Sequence, residues 1–98
     1  MLMIDDIIAT GGSVCAAATL LRDHGAKSVQ VAATHPVLCG PAIERLGAAP
    51  IDRIVVTDSI PLQEAAQGLP IAVVSVAGLL GEAIKRIHLN ESVSALFL

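Results

Sequence analysis

Short apolar runs separated by Gly, Pro and charged residues set the rhythm of this chain. Met1-Leu2-Met3-Ile4 predicts a short strand, followed by an acidic and glycine-rich turn that reaches Ser13. Val14 to Asp23 is Ala-rich with helical spacing and is stopped by Gly25. Ser28 to Thr34 alternates, placing Val29, Val31 and Ala33 on one face of a second strand. Pro41 suits the first turn of a helix, so Pro41 to Leu46 predicts a short one, ended near Gly47 and Pro50. Arg53 to Thr57 and Ile71 to Ser75 are the third and fourth strands, and Ala77 to His88 is a long helix. Its stripe of Leu79, Leu80, Ala83, Ile84 and Ile87 has the spacing of a buried face.

Strand and helix in alternation imply right-handed crossovers and a parallel sheet flanked by helices, an α/β fold. Composition agrees. Hydrophobic residues make up 54% of the 98 positions, mostly Ala, Val, Ile and Leu, as in strands buried on both faces. That fraction excludes disorder, and one domain spanning residues 1–98 is expected, with no repeat or linker. The first strand begins at Met1 with almost no lead-in and the sheet is small, so the chain reads as the back part of a larger domain, truncated at its N-terminus. Ligands of such sheets bind beyond the carboxyl ends of strands, at a switch in strand order. The loops to inspect are Asp5 to Ser13, His35 to Gly40, and Asp58 to Pro61.

Charge and residue usage narrow the function. Six Lys and Arg stand against nine Asp and Glu, and the single aromatic is Phe97, which argues against a nucleic-acid partner. The longest apolar stretch, Ile71 to Leu80, contains Ser75 and Gly78 and is too short to span a membrane. No basic segment precedes the first apolar run, so no signal peptide is expected and the predicted location is cytoplasmic. Cys15 and Cys39 form neither a disulfide framework nor a C-x-x-C motif.

The chemistry lies in Ile4-Asp5-Asp6-Ile7-Ile8-Ala9-Thr10-Gly11-Gly12-Ser13, a strand, two acids, and a T-G-G-S turn that opens a helix. Gly11 and Gly12 allow backbone conformations that aim several N–H groups into one concavity. The helix adds its positive end, and Thr10 and Ser13 add hydroxyls, which together make a phosphate cradle. It has neither the Lys of a nucleotide-triphosphate loop nor the spacing of G-x-G-x-x-G. Asp5 and Asp6 suit the vicinal hydroxyls of a ribose whose phosphate sits in the loop, or a Mg²⁺ ion. The plainer alternative is a helix-capping turn with acids drawn to the dipole.

This stretch resembles the phosphoribosyl-binding loop of type I phosphoribosyltransferase folds. Further segments resemble the ribose-phosphate pyrophosphokinases: Ala33-Thr34-His35, Gly40 to Leu46, Val55 to Pro61, Val74 to Leu80, and Ile84 to His88 followed by Glu91 to Phe97. The resemblance covers essentially the whole chain but only the final third of a family member. It implies transfer of a diphosphoryl group from MgATP to the anomeric hydroxyl of ribose 5-phosphate. By the same resemblance, Ala9, Thr10, Gly11, Gly12 and Ser13 hold the 5-phosphate, and Asp5 and Asp6 contact the ribose hydroxyls and support the metal. Many members carry Asp or Ser where Ala9 stands. The family's ATP contacts, a metal-binding His and a catalytic loop with Lys and Arg precede the position matching Met1. The chain is therefore expected to hold one substrate's site and to be inactive alone, with ATP bound through residues it lacks. Full-length members are expected to form homo-oligomers. The competing class is a non-catalytic regulatory or binding subunit that keeps the cradle.

The remaining candidates have two readings each. Ser92, Ser94 and Phe97 match tail positions that bind a regulatory nucleotide or phosphate in some family members, or they belong to a tail packed on the sheet. His35 is a polar support at the ligand edge or a structural histidine. Thr57, Asp58 and Ser59 are a turn or lie on the substrate side. Cys15, His24, His35 and Cys39 fit no common zinc spacing, and Cys15 is more simply a small buried residue. Lys85 and Arg86 suit a solvated helix end.

Overall fold

The computed structural model describes residues 1–97. Strands β1 (Leu2–Ile8), β2 (Gln30–Pro36), β3 (Arg53–Thr57) and β4 (Ile71–Val74) form one sheet in the order β1-β2-β3-β4, every pair parallel. Helices α1 (Gly12–Asp23) and α2 (Ala42–Ala48) make the first two crossovers, and a 3-10 turn at Glu64–Gly68 lies in the third. Helix α3 (Ala77–His88) follows β4, and Ser94–Phe97 is a second 3-10 turn. The expected α/β architecture is present.

A strand order that advances by one neighbour at each right-handed crossover places every crossover element on the same face of the sheet. The core lies there. Val14 and Ala18 of α1, Ala42 and Leu46 of α2, and Ala66 pack on Val31, Ala33, Ile54 and Val56 of the strands. Among the described residues no polar or charged residue is buried. An ion pair, Arg22 Nη2 to Asp52 Oδ2 at 2.6 Å, ties the end of α1 to the start of β3, and the same carboxylate accepts the Val29 N–H.

The opposite face is bare. Register aligns Ile4, Ala32, Val55 and Ala72 in one row across it, and Ile4 is 78% exposed. The apolar stripe of α3 is bare too, which corrects the expectation that it is core: α3 has no buried residue, and Leu80, Ile84 and Ile87 are exposed. Helical periodicity says that a face is made for burial and not which surface covers it. Here α3 leaves the edge strand β4 after only Ser75 and Val76 and meets no facing layer. The consequence shows in the dimensions. The radius of gyration is 15.9 Å where about 13 Å suits this length, and the accessible surface is 6206 Å² where about 5,200 Å² suits this mass.

Three sequence expectations shift in detail. The first strand runs to Ile8 and so contains Asp5 and Asp6, which were expected in the turn. The site has no switch in strand order, because the order is monotonic and β1 is an edge. The tail neither pairs as a strand nor packs on the sheet, being a 3-10 turn with Phe97 71% exposed.

An unpaired apolar edge and a bare sheet face favour association. Sedimentation velocity of the purified 98-residue chain is expected to show dimers or larger species that grow with concentration. A compact monomer throughout would contradict this.

Candidate functional site

The carboxyl end of β1 feeds a turn of only Ala9, Thr10 and Gly11 before α1 begins. Gly11 takes φ +80° and ψ −3°, the left-handed conformation that glycine adopts without steric cost. Among the described residues, the consecutive backbone N–H groups from Thr10 to Val14 donate to no protein acceptor. The first N–H to be satisfied is that of Cys15, on the Gly11 carbonyl at 2.9 Å. No side chain caps α1 and no acid stands in its first turn, so the plain capping reading of the acids and hydroxyls is not what the loop adopts.

The carbonyls of this turn face the other way, each held from outside. Ile8 O accepts the Leu38 N–H at 3.0 Å and Ala9 O accepts the Cys39 N–H at 2.9 Å. Thr10 O accepts from Arg45 Nη1 at 3.4 Å. In a trans peptide the C=O of one residue and the N–H of the next point oppositely, so these anchors turn the following N–H groups inward. They border a cavity of about 140 Å³ shared by Asp5, Ala9, Thr10, Gly11, Gly12 and Ser13. One phosphate group fits there.

Asp5 lines this cavity, and Asp6 does not. Asp5 Oδ1 accepts the backbone N–H of Asp6 at 2.7 Å. Asp6 is held below the usual carboxylate range, chiefly by the neighbouring Asp5 side chain and then by the backbone N–H groups of Ile7 and of Asp6 itself. Among the described residues neither acid pairs with Lys or Arg. Two neighbouring carboxylates without a counter-ion are suited to sugar hydroxyls or to a hard divalent cation that keeps most of its water. Their oxygens are donors of the kind that Mg²⁺ takes, and of the two only Asp5 faces the cavity.

The other candidates lie elsewhere. Asp58 accepts the Ser75 hydroxyl at 2.6 Å and the Val76 N–H at 2.8 Å, and these bonds hold its carboxyl below the usual range. It clasps the end of β3 to the entrance of α3. Ser59 gives its proton to the Thr34 carbonyl at 3.1 Å, leaving its oxygen to accept from His35 Nδ1 at 2.8 Å, and Thr57 bonds the same carbonyl at 2.7 Å. His35, Thr57 and Ser59 thus form a network on the Thr34 carbonyl at the carboxyl ends of β2 and β3, and Asp58 stands outside it. Ser92 and Ser94 hydrogen-bond each other at 2.9 Å, and Arg86 joins Glu82 to the Ser92 carbonyl. None of Ser92, Ser94 and Phe97 lines the cradle. Cys15 is half-buried, and burial pushes its thiol up against the opposing charge of Arg45; Cys39 is exposed. Among the described residues no three His, Cys, Asp or Glu side chains gather as a metal cluster, and no helix is long and apolar enough to cross a membrane.

Arg45 is the site residue that sequence reasoning missed. It reaches the loop from α2, 35 residues away, and its only sequence signal was its place in the segment Gly40 to Leu46.

A four-stranded parallel sheet flanked by helices, with a glycine turn and a row of free N–H groups at a strand's carboxyl end, defines a protein of the α/β class. Comparison with known proteins makes this specific: a family described as phosphoribosyl synthetase-associated domain matches residues 1–98, and the chain belongs to it. It is 56% identical over 96 residues to a ribose-phosphate pyrophosphokinase of Rhodopirellula baltica, covering 98% of this chain and 30% of that protein. A ribose-phosphate pyrophosphokinase of Oceanobacillus iheyensis is 51% identical over 96 residues, again 98% of this chain and 30% of the relative. The crystal structure of phosphoribosylpyrophosphate synthetase from Mycobacterium smegmatis superposes with a TM-score of 0.86 at 39% identity, over 91% of this chain and 30% of that one. The chain thus spans about a third of the length of these relatives. These shares measure how much of a relative is matched and not which end, so the expectation of a final third draws no support from them.

Proposed function

We propose that this chain is the ribose 5-phosphate-binding portion of a ribose-phosphate pyrophosphokinase. The observation that carries the reading is the row of unpartnered N–H groups from Thr10 to Val14, facing a cavity that Asp5 shares. The N–H groups of Gly11 and Gly12, the positive end of α1 and the Thr10 and Ser13 hydroxyls hold the 5-phosphate. Ala9 contributes backbone alone, where a longer side chain would add a contact. Asp5 and Asp6 take the ribose hydroxyls and, through water, a Mg²⁺ ion. Bound there, Mg²⁺ supplies charge neutralisation for the phosphates of the second substrate.

In the overall transfer the anomeric oxygen attacks the β-phosphorus of ATP, the bond between the α- and β-phosphates breaks, and AMP leaves with the electron pair. This chain orients the acceptor: with the phosphate and the hydroxyls both held, the sugar has few orientations left. ATP is bound by residues outside the matched third, in a homo-oligomeric, cytoplasmic enzyme. A regulatory subunit that retains the cradle is the second reading, favoured by a cavity lining that, among the described residues, contains no Lys or Arg.

Calorimetry with ribose 5-phosphate tests the site. Asp6→Ala and Asp5→Asn are each expected to weaken binding about tenfold, the effect of losing one hydrogen bond to a charged group, while circular dichroism stays unchanged. Affinity unchanged in both variants would remove the sugar from this end of β1.

A further inference from the structure

We propose that Arg45 is a positioning residue that locks the Thr10–Gly11 peptide with its N–H toward the cradle. The inference rests on the phosphate-cradle reading and adds to it the device that keeps the loop in its binding form.

Four consecutive carbonyls, those of Ile8, Ala9, Thr10 and Gly11, each accept a hydrogen bond. Three of the holders are backbone N–H groups: Leu38 and Cys39 from the segment after β2, and Cys15 from the first turn of α1. Those bonds are part of the fold and hold while it holds. The Thr10 carbonyl differs: among the described residues its one partner is a side chain, Arg45 Nη1 at 3.4 Å. It also precedes Gly11, the one residue of the turn at positive φ, where glycine's freedom makes rotation of the peptide plane easiest. The least constrained peptide of the cradle is thus the one assigned to Arg45. A rotated plane would present the Thr10 carbonyl to the anion in place of the Gly11 N–H.

Two further features suit the role. Among the described residues Arg45 makes no ion pair, so its charge is not committed to a carboxylate. Its guanidinium also lies against Gly12, where an added Cβ would stand 3.1 Å from Nη1. Gly12 leaves room for Arg45 to lie behind the loop, on the side away from the cavity, which Arg45 does not line. A group so placed acts on the anion through the loop and not by touching it.

The test compares the 98-residue chain with Arg45→Gln and Arg45→Lys, by ¹H–¹⁵N spectra without ligand and by titration with ribose 5-phosphate and with inorganic phosphate. Arg45→Gln is expected to shift the Gly11 amide and speed its hydrogen exchange in the free protein. It is also expected to weaken both ligands by about tenfold, the effect of one lost charge-assisted hydrogen bond. Arg45→Lys, which keeps a charged donor, restores part of each effect. A Gly11 amide unchanged in Arg45→Gln overturns the lock, whatever happens to binding. If Arg45→Gln does not fold, Arg45→Lys decides by the same amide. A wild-type chain that binds neither ligand, yet whose Gly11 amide responds to Arg45→Gln, upholds the lock and removes the phosphate reading instead.

Discussion

Given MgATP and ribose 5-phosphate, the 98-residue chain alone is expected to form no phosphoribosyl pyrophosphate above background. Diphosphoryl transfer depends on in-line positioning and on cations at the developing charge. The cradle region offers neither in full. Among the described residues its one nearby cation, Arg45, lies behind the loop, and the acids of β1 add negative charge beside it. Cationic clamps in related phosphoryl transfers are worth about 10³–10⁵ in rate, enough to place the chain at background without them. Adding in trans the portion of a relative that this chain does not match is expected to restore turnover, because the bare sheet face and the stripe of α3 leave apolar surface for assembly. A coupled assay detecting AMP release reads both states. Turnover by the chain alone would mean that catalytic groups are present within it. An assembled but silent complex would favour the regulatory reading.

How far the residues foretell this molecule depends on which forces act locally. Arg53–Thr57 and Ala77–His88 have the limits the pattern predicts, since each is a periodic run between clear breakers. β1 is longer than predicted for a physical reason. Asp5 and Asp6 look like turn residues by composition, yet at an exposed edge strand their carboxylates stay solvated while their backbone pairs with β2. The turn with its row of free N–H groups was legible because it is built from backbone, and Gly11-Gly12 announces it. Arg45 was not, because its contact to Thr10 exists only once α2 packs beside α1. The fate of α3 was illegible for the same reason: its stripe specifies burial, and the covering surface is not among the elements that the first four strands and their crossovers supply.

Gly11 is where a single methyl group is expected to do the most harm. Sequence alone makes Gly11 and Gly12 equivalent; the geometry separates them. At Gly12 an added Cβ meets the far end of the Arg45 side chain at 3.1 Å, and that end can move aside. At Gly11 space is not the obstacle, since an added Cβ would have Ala42 Cα and O at 3.6 Å and Leu46 Cγ at 3.7 Å, ordinary contacts. The obstacle is φ +80°, which costs an L-residue about 1–2 kcal/mol and a β-branched one more. A chain this small relieves that cost either by losing stability or by letting the turn adopt negative φ, which swings the Gly11 and Gly12 N–H groups out of the cavity. Gly11→Ala is therefore expected to lower Tm by roughly 4–15 °C, and Gly11→Val by more. Ribose 5-phosphate affinity should fall at least about tenfold in both, because bonds from N–H to a charged oxygen are lost. Gly12→Ala should leave Tm within about 3 °C, as a shift of under half a kcal/mol predicts. Thermal melts and calorimetry on the three variants check this, and a Gly11→Val protein that melts and binds like the wild type would show that the positive-φ turn is not what holds the phosphate.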